Sequence, residues 1–270
     1  MSRLAECFDT LKKQGKKGLI PYIVAGDPSL DVTVPMMHEL VLKGANVIEL
    51  GVPFSDPMAE GKVIQLAHER ALEHNTSLRN ALEMVREFRL DNNDTPIVLM
   101  GYANPIEVMG YAEFATVAGQ VGVDAILTVD MPPEEATELV SELDRVAIDN
   151  IMLIAPTTGE ERISRIVASA SGFLYYVALK GVTGAGNLDV GSVSDACLAI
   201  SNQSTLPLAV GFGIKDAKSA TAIALAADAV VVGSALVDAM ANFSLNSDDV
   251  ATLCKNSSQL IGEIRMALDA

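Results

Sequence analysis

The stretch Asn46-Val-Ile-Glu49-Leu-Gly-Val-Pro53-Phe-Ser-Asp56-Pro57 reads as a short buried strand closed by a loop punctuated with glycine and proline. Its apolar residues follow one another without the polar alternation of a half-exposed strand, as expected where both faces of a parallel sheet are covered. Runs of the same kind lie at 19–24, 97–100, 125–129, 151–154, 173–179, 206–210 and 229–232, making eight with 47–52. The segments between them can each hold a helix, for example 132–148, 160–170 and 215–226. Eight strand–helix units in about 250 residues match the eightfold parallel (β/α)8 TIM barrel better than an open doubly wound sheet. Further helices are expected at 2–14 and, as one long element, at 247–270. No linker-like tract divides the chain, so a single domain over 1–270 is expected.

Half of the 270 residues are apolar and only 4% aromatic, with no tryptophan, so the core is aliphatic. The 19 basic and 35 acidic residues leave a net charge of −16, which repels nucleic-acid backbones and anionic membranes. Cys7, Cys197 and Cys254 show no metal or redox spacing and read as reduced thiols. Acidic residues precede any apolar run at the N-terminus, unlike a signal peptide. The apolar stretch 220–241 contains Asp228 and Asp238 and changes period midway, so it reads as a helix and a buried strand rather than a membrane span. A soluble cytoplasmic protein is expected. Lys12, Lys13, Lys16 and Lys17 surround Gly15 and read as the cationic end of the first helix. His38, His68 and His74 follow no metal spacing and are expected at the surface or in packing.

Active sites of such barrels sit at the C-terminal ends of the strands. Glu49 is the one charge in a strand that otherwise reads as core. Period-two alternation sends Ile48 and Leu50 to one side and Val47, Glu49 and Gly51 to the other; if Ile48 and Leu50 face the covering helices, Glu49 points into the barrel mouth. A carboxyl group held there is desolvated, which raises its pKa toward values useful for general acid–base work. A structural carboxylate held by a lysine or tyrosine is the plainer reading of the same residue. Glu60, eleven residues on, could fold back over the same cavity and share the proton transfers, or could be the first-turn acid of the next helix. Three glycine clusters fall at late strand ends: Gly181-Val-Thr183-Gly184-Ala-Gly186, Gly211-Phe212-Gly213 and Gly233-Ser234. Backbone N–H groups at such turns bind phosphate oxygens, and no nucleotide-cofactor motif is present. With only Lys180 and Lys215 nearby, a small mono-phosphorylated ligand held mainly by neutral amides is expected.

These residues resemble the alpha subunit family of tryptophan synthase. The resemblance rests on Glu49-Leu-Gly-Val-Pro-Phe-Ser-Asp-Pro-Met-Ala, Pro21-Tyr22-Ile-Val-Ala-Gly-Asp27-Pro28, Gly101-Tyr102-Ala-Asn104-Pro, Leu179-Lys-Gly-Val-Thr183-Gly184 and Val210-Gly-Phe212-Gly213-Ile. It implies a (β/α)8 barrel and a cofactor-free lyase that cleaves indole-3-glycerol phosphate into indole and glyceraldehyde 3-phosphate during tryptophan biosynthesis. On that resemblance Glu49 would protonate ring carbon C3 and then accept the side-chain hydroxyl proton, while Glu60 would accept a hydrogen bond from N1–H. Tyr22, Met100, Tyr102, Leu127, Val129, Leu153, Tyr175, Thr183 and Phe212 match substrate-binding positions, and Gly184, Gly213, Gly233 and Ser234 match phosphate-binding ones. The partner implied is a beta subunit carrying pyridoxal phosphate, in an α2β2 heterotetramer, with Asp56 on the communicating loop. The family places aspartate, followed by Gly-Pro, where this chain reads Glu60-Gly61-Lys62, and often serine where it has Ala178. A diverged stand-alone phosphate-binding barrel enzyme and a non-catalytic activator of a beta-type partner stay open as other readings.

Overall fold

Eight parallel strands pair in sequence order, and the eighth returns to the first to close a barrel. The computed structural model describes residues 2–178, 190–211, 213–242 and 249–270. The strands are β1 (Gly18–Val24), β2 (Ile48–Gly51), β3 (Ile97–Gly101), β4 (Ala125–Thr128), β5 (Asp149–Ile154), β6 (Leu174–Val177), β7 (Leu208–Gly211) and β8 (Ala229–Val232). Before and between the first strands run α1 (Arg3–Gln14), α2 (Thr33–Leu42), α3 (Lys62–Glu73), α4 (Leu78–Phe88), α5 (Ala103–Met109) and α6 (Tyr111–Val121). The remaining described helices are α7 (Thr137–Arg145), α8 (Glu160–Ser169), α9 (Val190–Ser201), α10 (Ala217–Ala224), α11 (Ser234–Ala241), α12 (Val250–Ser257) and α13 (Gln259–Leu268).

The strands are apolar on both sides because each side meets a core. Ile48, Leu50, Leu99, Ile126, Val210 and Val230 pack outward against the helices. Ile20, Tyr22, Val98, Leu127, Tyr175 and Val231 fill the barrel interior. The predicted alternation around Glu49 holds: Ile48 and Leu50 belong to the outer layer and Val47 to the inner one. Strand β1 brings Tyr22 directly opposite Glu49, and β3 brings Val98 opposite Glu49 on the other side.

Helix α1 closes the bottom of the barrel. Twelve residues form a marginal helix in isolation, but Leu4 and Phe8 are buried in the inner cluster, Phe8 against Phe173 with ring centroids 5.6 Å apart. Burial of two such side chains stabilises docking by about 3–6 kcal/mol. Gly15 takes the left-handed conformation (φ 65°) that ends the helix, with Lys12 and Lys13 in the last turn, as the lysine cluster suggested.

Two helix boundaries differ from the sequence reading. The expected helix 132–148 is confined to α7, because Pro132 and Pro133 lead into turns and Ala147, at φ 57°, ends the segment in the left-handed region. The expected single helix at the C-terminus is two helices meeting at Ser258, whose Oγ donates to the Lys255 carbonyl at 3.2 Å and so competes with the backbone ladder. Cys7, Cys197 and Cys254 are free thiols, and among the described residues no helix is long and apolar enough to cross a membrane.

Candidate active site

A cavity of about 420 Å³ opens at the C-terminal end of the barrel, walled by Tyr22, Glu49, Glu60, Met100, Tyr175 and Val231. It reaches to Gly213, Lys215, Gly233, Ser234 and Asp238 on the side of β7 and β8. A second cavity of about 520 Å³ extends toward β4 and β5, where Val129, Met152, Leu153 and Val177 line it. Glu60, Met100 and Tyr175 border both cavities and mark their junction. The two form a long cleft with an apolar arm and a glycine-rich arm, with Glu60 at their junction and Glu49 in the wall of the first.

Glu49 is 1% exposed, and neither carboxyl oxygen has a hydrogen-bond partner among the described residues. Burial, reinforced by the charge of Glu60, pushes its pKa up to about 8. The plainer reading of Glu49, a carboxylate tied to a lysine or tyrosine, has no bond to support it. Glu60 is also buried, and desolvation raises its pKa to about 7. It stands just before α3, whose N-cap is Gly61, so it is not the first-turn acid of a helix. Two turns bring it back over the cleft: the Met58 N–H donates to the Asp56 carbonyl at 2.8 Å and the Glu60 N–H to the Pro57 carbonyl at 3.1 Å. Gln65 Nε2 then donates to the Glu60 carbonyl at 2.9 Å.

Tyrosine rings flank the carboxyl groups, and glycines make room for them. A methyl group on Gly51 would come within 2.3 Å of Tyr22 Oη, and one on Gly211 within 2.0 Å of Tyr175 Oη. Both phenols are held neutral, with pKa values pushed well above the ordinary one by burial and then by the two glutamates. At the other arm α11 begins at Gly233 with no side chain capping its first N–H groups, which leaves amide donors and the positive end of the helix dipole facing the cavity. Gly213, at φ 81°, lies across from it. Among the described residues no group of His, Cys, Asp and Glu could hold a metal ion.

A sequence model of the tryptophan synthase alpha chain matches residues 8–266. The alpha chain of Thioalkalivibrio sulfidiphilus is 54% identical over 269 residues, covering all of both chains. That of Chromobacterium violaceum is 54% identical over 268 residues, covering 99% of this chain and all of its own. The crystal structure of tryptophan synthase subunit alpha from Legionella pneumophila superposes with a TM-score of 0.91 at 44% identity, covering 100% of this chain and 99% of its own. The chain belongs to the tryptophan synthase alpha chain family.

Most of the residues matched to this family meet at one cleft. Tyr22, Glu49, Glu60, Met100, Tyr175, Gly213, Gly233 and Ser234 border the first cavity, and Val129 and Leu153 the second. Leu127 is fully buried in the inner core below them. Tyr102 borders neither cavity; its hydroxyl accepts the Ala59 N–H at 3.1 Å and its ring stacks on Phe54 at 4.9 Å, pinning the loop that carries Glu60. Asp56 is exposed on that loop and accepts from Ser55 Oγ at 2.6 Å. Thr183, Gly184 and Phe212 lie outside the described residues, as does Lys180. His68, expected at the surface or in packing, is buried on α3, as the packing reading allows, and is bonded to the same loop; one histidine on an amphipathic helix carries no motif that would have announced that bond.

Proposed function

We propose that Glu49 and Glu60 divide the proton transfers of indole-3-glycerol phosphate cleavage in the cleft between the apolar and glycine-rich arms. Cleavage of indole-3-glycerol phosphate to indole and glyceraldehyde 3-phosphate is the lyase reaction of this family, and it serves tryptophan biosynthesis. The observation that carries the reading is the pair of buried carboxyl groups with raised pKa values, Glu49 without a partner among the described residues and Glu60 at the meeting point of two unlike arms. The arms suit the two ends of the substrate. The indole ring occupies the side of Met100, Val129, Leu153 and Tyr175, and the phosphate takes the amides near Gly213, Gly233 and Ser234; the family resemblance adds Thr183, Gly184 and Phe212 as ligand-binding residues.

At neutral pH Glu49 carries the proton and Glu60 is the more acidic of the two. Protonated Glu49 delivers its proton to C3 of the indole ring, leaving positive charge spread toward N1–H. The Glu60 carboxylate accepts a hydrogen bond from N1–H and stabilises that charge. Glu49, now a carboxylate, takes the proton of the side-chain hydroxyl as the C–C bond breaks; its electron pair returns to the ring, and the new carbonyl leaves as the aldehyde. The base is thereby reprotonated for the next turnover, so the proton count closes without a cofactor on this chain.

Alpha chains are named for a larger enzyme, and the partner fitting this one is a beta subunit with pyridoxal phosphate in an α2β2 heterotetramer, with Asp56 and its exposed loop toward that subunit and cytoplasmic placement. The test is indole release from indole-3-glycerol phosphate by the full chain, alone and with the beta chain added. Turnover under either condition is expected; a folded chain that releases no indole under both contradicts the reading.

A further inference from the structure

The loop that carries Glu60 is tied to the barrel through a residue that neither the family resemblance nor the cleft's lining brings forward. His68 projects inward from α3 and is 2% exposed. Its Nδ1 accepts the Phe54 backbone N–H at 2.9 Å. An acceptor nitrogen carries no proton, so the ring proton of neutral His68 lies on Nε2. Burial keeps the ring neutral by lowering its pKa to about 4. Nε2 faces Tyr22 Oη at 3.5 Å, the long end of hydrogen-bonding distance. The Nε2–H therefore donates to the phenol oxygen, and the phenol's own proton must point elsewhere.

Elsewhere is the cleft. Tyr22 lines it beside Glu49 and Glu60, stands opposite Glu49 in the strand register, and leans over Gly51, where a side chain would displace its hydroxyl. Tyr102 repeats the device on the other flank, since its hydroxyl accepts from the Ala59 N–H and keeps its own proton to give. Both scaffold bonds land on one loop, at Phe54 and Ala59, and the Phe54 ring stacks on Tyr102 between them.

We infer that His68 is a positioning residue: as the Nε2–H tautomer it links the loop backbone at Phe54 to the Tyr22 hydroxyl and so aims the Tyr22 proton into the cleft beside Glu49. The inference rests on the acid–base reading of Glu49 above and extends it. His68 touches no substrate; its action passes through Tyr22 and the loop.

Steady-state indole release by the full chain tests it with Tyr22→Phe, His68→Asn, the double variant, His68→Gln and a Glu49→Gln control. Tyr22→Phe and His68→Asn are each expected to lower kcat by about tenfold, the effect of one mis-aimed hydrogen bond, with KM changed by less than about twofold. The double variant is expected to lose no more than Tyr22→Phe alone, because both remove the same proton alignment. His68→Gln, whose Nε2 can still donate to Tyr22, is expected to recover most of the rate. Nitrogen NMR of the wild-type chain, with the His68 resonances assigned by their loss in His68→Asn, should show the His68 imidazole neutral and protonated at Nε2. Losses that multiply in the double variant, a His68→Asn with wild-type kcat, or an Nδ1–H tautomer at His68 would each overturn the inference while Glu49→Gln stays inactive. Full turnover by Glu49→Gln would instead overturn the acid–base reading and the inference with it.

Discussion

Two acidic residues are buried at opposite ends of the same barrel, and their surroundings differ completely. Asp124, at the start of β4 and 4% exposed, accepts Arg89 Nη2 and the Ile97 N–H at 2.8 Å each and Arg3 Nη1 at 2.9 Å. Glu49, at the other end and 1% exposed, accepts from no donor among the described residues. Asp124 thus joins α1, the C-cap of α4 and β3 into one cross-link at the bottom of the barrel. A buried carboxylate surrounded by donors ties together the elements that supply them and serves the fold. A buried carboxyl without donors keeps its proton to neutral pH and can give it away. In this fold the bottom face is built for stability and the top face for chemistry, and the two carboxyl groups show the division residue by residue.

The comparison breaks most visibly at Glu49. Glu49→Gln should lower kcat by about 10²–10⁴-fold while the chain stays folded, because no hydrogen bond among the described residues is lost; indole release and circular dichroism on one sample check both halves. Arg89→Met should do the reverse. It strips Asp124 of a buried partner and should destabilise the chain by about 3 kcal/mol in urea unfolding, with kcat of the folded protein little changed.

Next in size is the pH dependence of stability. Glu49 and Glu60 have folded-state pKa values raised to about 8 and about 7 from an ordinary 4.5, so between those limits the native state binds more protons than the unfolded chain. Their contribution is fully present below about 4.5 and is lost as pH rises through 7 and 8. His68, lowered from 6.5 to about 4, acts in the opposite sense below 6.5. Unfolding free energy should therefore fall from about pH 6.5 to about pH 8, and the slope should shrink in Glu49→Gln. The smallest effect is expected from Glu60→Asp. It keeps the carboxylate one methylene shorter, so kcat should stay within about tenfold of wild type or rise. Inactivation would show that the loop is built around glutamate.

The fold was legible because each strand is a continuous apolar run; the two-residue period of β2 set Glu49 apart from Ile48 and Leu50, and the packing of those two against the helices settles its inward aim. Element ends were not: Pro132 and Pro133 delay α7, and Ser258 splits the last helix by a side-chain bond that no periodicity reveals. The family resemblance supplied Glu60 as the second carboxyl, since spacing alone left it between a loop and a helix start. It also grouped Tyr102 with the substrate residues; the bond from the Ala59 N–H to its hydroxyl, which holds the loop, was not legible from spacing. His68 could not be read in advance, because its meaning depends on Phe54 and Tyr22 arriving from two other segments.

Infrared difference titration of the full chain against Glu49→Gln measures directly whether Glu49 holds its proton at neutral pH. A carboxyl C=O band lost with a midpoint at about pH 8 is expected; a midpoint near the ordinary value of 4.5 would leave Glu49 ionised at neutral pH, with no proton to give to C3.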